Sequence, residues 1–139
     1  MTVERAKGLI ESARSMDLRG VDFVSSMPIE IVASCGNGIG PEWLHKHCRR
    51  LLDWWFADFR PAALIHDCRY MYSFDRSESA RLSANEEFEA NCRKIADYEY
   101  RWYNPIRYFA RARAKEMRSM CDMFGKTAWE RYNRDKKTE

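Results

Sequence analysis

The chain has 139 residues, of which 45% are apolar and 32% charged, with a formal net charge of +3. That length suits one domain around one core, and the composition excludes a disordered chain. A charge this small does not call for nucleic acid, which is not expected as a partner, and no apolar run approaches the roughly 20 residues of a membrane span. The N-terminus lacks an apolar signal core, so a cytoplasmic protein is expected. Five cysteines, Cys35, Cys48, Cys68, Cys92 and Cys121, form neither a Cys-x-x-Cys pair nor a zinc spacing. They read as reduced, small apolar side chains.

Residues 1–20 hold an N-terminal helix, capped by Thr2, with Val3, Ala6, Ile10 and Ala13 as a thin apolar stripe that packs as a lid. From Val21 to Ser34, the alternation of Ile29, Ile31 and Ala33 against Glu30 suggests a short extended piece. Residues 34–41, Ser34-Cys35-Gly36-Asn37-Gly38-Ile39-Gly40-Pro41, cannot stay helical. Their glycines free the backbone to turn carbonyls towards a hard cation, with a carboxylate supplied from elsewhere. The other reading is a nest for phosphate, although the Gly-Lys-Ser/Thr ending of a P-loop is absent. Pro41 opens a helix through Trp43, Leu44, His47, Leu51, Trp54 and Trp55, whose aromatic end is either core or a surface that meets lipid. His45 and His47 fall on different faces of it and read as solvent-exposed rather than metal-binding.

Residues 61–97 read as a pair of helices. Pro61 starts the first, and Ala62, His66 and Tyr70 share one of its faces while Asp67 points about a quarter-turn away. Asp75-Arg76-Ser77-Glu78 caps the second, which buries Ala84, Phe88, Cys92 and Ile95. Asn85 lies at the edge of that stripe, and His66 is the partner that would satisfy its amide. Asn104-Pro105 breaks the helix, and a last one spans residues 105–133 with Phe109, Met117, Met120, Cys121, Phe124 and Ala128 towards the core. Gly125 in it is either a close-packing point or a local end, and Arg107, Arg111, Arg113, Lys115 and Arg118 read as a solvated face. The expected fold is all-α, with little or no β.

The loop x-Cys-Gly-x-Gly followed by His-Asp-x-x-Tyr, at residues 34–38 and 66–70, resembles the phospholipase A2 superfamily. The order Ile39-Gly40-Pro41-Glu42-Trp43-Leu44, Ala63-Leu64-Ile65-His66-Asp67, Tyr70 and Phe88 is similar to small phage and prophage proteins, more loosely as far as Gly125-Lys126-Thr127-Ala128-Trp129. The resemblance implies a core of two antiparallel helices with added N- and C-terminal helices. It implies calcium held by the carbonyls of Ser34, Gly36 and Gly38 and the carboxylate of Asp67. His66 would be the base that activates water, Tyr70 would brace it, and phospholipid or a membrane surface would be the substrate. The alternative it implies is an inactive accessory protein that meets phage assembly proteins. The sequence departs from the pattern at Asn85, where the family places an Asp that accepts from the His ring, and at Cys68, one residue early. An Asn orients an imidazole but does not neutralise its positive form, so weak turnover is expected, and Asn85→Asp is expected to raise it.

Overall fold

The computed structural model describes residues 1–36, 47, 50 and 54–135. Among these the chain is all-α, without strands. In order it forms α1 (Val3–Ser15), α2 (Val21–Ser25), α3 (Ile29–Cys35), a 3-10 turn (Ala57–Phe59), α4 (Arg60–Tyr72), α5 (Glu78–Glu99) and α6 (Pro105–Asp135). The expected stretch through Trp43, Leu44 and Leu51, with Gly38, His45 and Cys48, lies outside the described residues.

Helix α1 begins where the sequence marks it, with the Thr2 hydroxyl accepting from the Arg5 amide. Its buried Ala6 and Ala13 let it lie close on α3 and α4. The segment read as extended is instead helical, as α2 and α3. Ile29, Val32 and Ala33 recur at helical spacing as well as in partial alternation, and Pro28 supplies the extended residue before the helix. Val32, Ala33 and Cys35 are buried on that face. Gly20 enters α2 at φ 81°, and a Cβ there would stand 2.7 Å from Glu87 Oε1 and 2.9 Å from Ile65 Cγ2, so both backbone and space demand glycine.

Helices α4 and α5 are joined by a short turn and run antiparallel, since His66 packs on Phe88 while Tyr70, further along α4, meets Asn85, earlier in α5. Pro61 sits in the first turn of α4. Its C-terminal carbonyls are capped by Arg76, whose guanidinium donates to Tyr70 O and Met71 O at 2.6 Å each, a cation against the negative end of the helix. Ser77 caps α5 by accepting from the Ala80 amide. Arg69 binds Glu87 through two nitrogens and lies 4.4 Å over the Phe23 ring, which ties α2 to the helix pair. Asn91, fully buried, donates to Arg19 O and accepts from Arg19 N, and so fixes the turn between α1 and α2.

Helix α6 packs antiparallel along α5 through a stripe that keeps Met117 and Cys121 of the expected one but not its aromatics. Phe109 and Phe124 are exposed, while Ala110, Ala114, Met117 and Trp129 are buried. The stripe is set by the alanines, whose small side chains allow close approach, and the larger aromatics one position away turn outwards. Gly125 is the close-packing point: a Cβ there would be 2.6 Å from the Tyr70 hydroxyl. The arginine face is not simply solvated. Arg107 and Arg111 both bind Asp97, Arg113 approaches Asp58, and Arg118 spans Glu86 and Glu89.

Candidate functional site

The polar residues of α4, α5 and α6 meet in the middle of this packing. His66 Nε2 lies 2.9 Å from Asn85 Oδ1, the contact expected from the two inward stripes. Tyr70, one turn along from His66, donates its hydroxyl to the same oxygen at 2.7 Å. The imidazole is sandwiched between the Tyr70 and Phe88 rings, with centroids 4.3 and 4.7 Å away, and Trp129 closes edge-on over Tyr70. His66, Tyr70 and Asn85 are all buried.

The residue that orders this cluster is Asp122, which sequence reasoning missed. Asn85 Nδ2 donates to Asp122 Oδ1 at 2.6 Å. An ionised carboxylate only accepts, so the Asn85 amide must present its NH2 to α6 and its carbonyl to His66 and Tyr70. That carbonyl also only accepts, so His66 carries its proton on Nε2 in the neutral ring. Nδ1 is thereby left with its lone pair on the side of Asp67, whose Oδ1 is 3.9 Å away. One surface carboxylate thus sets the tautomer of a buried histidine through an intervening amide.

Asp122 reads from the sequence as one more charge on an exposed helix face, because nothing local reveals that α6 turns it towards position 85. Arg81 was missed for the same reason. It is buried, binds Glu78 through Nε and Nη2, and reaches Cys121 O with Nη1.

Burial opposes a positive charge on His66, but the sulfur of Cys121 and the carboxylate of Asp67 outweigh it, so the ring holds a proton more tightly than free imidazole. Partial burial also raises the carboxyl of Asp67, with His66 partly offsetting it. The thiols of Cys35 and Cys68 adjoin each other beneath the site, where Cys35 and burial push Cys68 upward. Cys35, Cys68, Cys92 and Cys121 are free thiols.

Of the residues assigned to calcium, Asp67 is part-exposed and close to His66, while Gly38 lies outside the described residues. Ser34 and Gly36 sit at the C-terminal end of α3, where backbone carbonyls lack intrahelical partners and carry the negative end of the helix. Those oxygens suit a cation, and they meet one: the Met1 ammonium donates to Ala33 O at 2.8 Å and to Gly36 O at 3.4 Å. The Ser34 hydroxyl is turned back to Ile31 O. The donor set therefore fits a hard cation in kind, with the Gly36 carbonyl already engaged. Among the described residues, no three His, Cys, Asp or Glu side chains gather as a metal group. No helix among them is long and apolar enough to cross a membrane. No family model, curated protein or solved structure matches the chain.

Proposed function

We propose that the chain is a phospholipase A2-like hydrolase of phospholipid esters, with His66 as the base that activates water. The observation that carries this reading is the directed chain from Asp122 through Asn85 to His66, which leaves the Nδ1 lone pair unspent. A water hydrogen-bonded to Nδ1 would give up its proton as it attacks the ester carbonyl, and Nε2–H would stay on Asn85 Oδ1 throughout. Tyr70 holds the same oxygen in place, so the ring cannot swing away without losing its own buried hydrogen bond to a fixed acceptor. Asp122 supplies, one amide removed, the negative charge absent from position 85. That charge supports the imidazolium less than a direct carboxylate would, so slow turnover is part of the proposal. Calcium bound by Asp67 and the carbonyls after α3 would polarise the ester carbonyl. Because the surroundings of His66 favour its protonated form, the base is available only as the pH rises through its elevated titration point.

The second reading is an inactive phage accessory protein. It is favoured by the internal engagement of Asn85, whose carbonyl and amide both have protein partners. One experiment separates the two. Ester release from phospholipid vesicles is measured with and without Ca²⁺ for wild type, His66→Ala and Asp67→Asn. Hydrolysis that needs Ca²⁺, vanishes in His66→Ala and persists partly in Asp67→Asn at high Ca²⁺ supports the hydrolase. Equal, negligible release from all three, with His66→Ala less heat-stable, leaves the accessory protein.

A further inference from the structure

We infer that the outer face of α6 is a self-association surface, on which a second copy of this chain packs antiparallel about a two-fold axis between residues 115 and 116. Opposite the buried Ala110, Ala114 and Met117, exposed residues recur at 108, 109, 112, 115, 116, 119 and 123, a spacing that puts them on one side of the helix. Tyr108, Phe109 and Met123 are 64%, 71% and 67% exposed, so large apolar side chains stand at both ends of that face. Between them lie Ala112 and Ser119, whose hydroxyl is turned back to Lys115 O on its own helix. The waist is therefore small, and another helix can approach it closely. At the centre stand Lys115 and Glu116. Among the described residues neither has an ion partner, nor does Glu130 further along the same face, nor Arg101 in the turn before α6, whose guanidinium meets the Tyr103 hydroxyl at 3.4 Å.

This pattern is complementary to itself. Antiparallel pairing about that axis sets Lys115 opposite Glu116 of the second copy and Ala112 opposite its Ser119, while its Met123 falls between Tyr108 and Phe109. Glu130 comes level with Arg101 in the other copy's α5–α6 turn. A parallel pair would instead set Lys115 beside Lys115 and Glu116 beside Glu116, so charge fixes the direction. These four charges are unspent within the chain, unlike Arg107, Arg111 and Arg118, which are turned to carboxylates of α5. They also select the occupant. A lipid surface would strip water from Lys115 and Glu116 in the middle of the stripe, and a nucleic acid would meet Glu116 and Glu130. The inference does not rest on catalysis, because His66, Tyr70 and Asn85 are buried on the other side of α6.

The test is sedimentation equilibrium of the full chain from about 1 to 200 μM, at low and high salt. The expected result is a reversible monomer to dimer equilibrium that salt weakens. Lys115→Glu and Glu116→Lys each create two like-charged pairs across the axis, so each should weaken dimerisation by about tenfold. Lys115→Glu/Glu116→Lys exchanges the charges, restores both attractions and should return the affinity to within about threefold of wild type. Met123→Ser should weaken it as the single charge variants do. All three positions are exposed, so the variants should melt as the wild-type monomer does. The inference is overturned if the chain stays monomeric at about 200 μM, whatever vesicle or oligonucleotide it then binds. It is equally overturned if the exchanged double variant associates no better than the single ones, or if a dimer forms that none of these substitutions weakens.

Discussion

Asn85→Asp, expected from the sequence to raise turnover, should cost stability in the structure because of Asp122. The sequence alone suggests a gain, because a carboxylate beside His66 would stabilise the imidazolium. In the structure, the atom replaced on the far side of the amide is an N–H donor held 2.6 Å from Asp122 Oδ1. Substitution turns that contact into two carboxylate oxygens at the same distance, worth about 6 kcal/mol of repulsion at an effective dielectric of about 20. Asp122 is 35% exposed, so water and side-chain movement remove part of it. With the lost charge-assisted hydrogen bond included, a net destabilisation of about 3 kcal/mol is expected, roughly 10 °C in Tm. The new pair would share a proton, raising one carboxyl above its unfolded value. A raised acid destabilises the fold above its unfolded pKa, so the loss should shrink below about pH 4 and be full near pH 8. Thermal melts across that range measure it. The second arm is Asn85→Asp/Asp122→Asn, which exchanges donor and acceptor and should recover most of the lost stability at pH 8. If the single variant melts like wild type at pH 8, or the double variant is no better than the single, the chain from Asp122 to His66 is wrong.

Gly125→Ala should lower stability by about 1–2 kcal/mol despite the helix propensity it gains, because the added methyl meets a Tyr70 hydroxyl already held by Asn85. A raised melting temperature would show that the contact is slack. Asn91→Ala strands the part-buried amide and carbonyl of Arg19 and should cost about 1–2 kcal/mol, with hydrogen exchange at Leu18–Val21 accelerating first. Uniform acceleration across the chain would contradict that local role. The carboxyl of Asp97 is depressed chiefly by the Arg111 hydrogen bond; burial opposes it, and Arg107 adds a smaller lowering. A depressed acid adds stability above its unfolded pKa of about 4 that is lost as pH falls through the folded one, so Asp97→Asn should cost up to about 1 kcal/mol at pH 7 and nothing near pH 2. An unchanged difference across denaturation curves at the two pH values would exclude the ion pair.

Local signals in the sequence determined the elements whose causes are themselves local. Thr2 announces one helix start because a hydroxyl captures amides within one turn, the Asp75–Glu78 signal places another two residues before its actual cap at Ser77, and Asn104-Pro105 separates α5 from α6 because proline cannot continue a hydrogen-bonded ladder. The inward stripes of α4 and α5 were likewise legible, and they were enough to bring His66 to Asn85. Only tertiary structure decided what a short apolar run or a third helix would do. Ile29–Cys35 satisfies helical and extended patterns alike, and it is contact with α1 and α4 that selects the helix. The face of α6 followed from how closely α5 could be approached, so Ala110 and Ala114 went inwards and Phe109 outwards. Asp122 lies 37 residues from Asn85, and its hold on the amide depends on the rotation of one helix against another. That rotation is set by packing summed over many side chains, which no single position encodes.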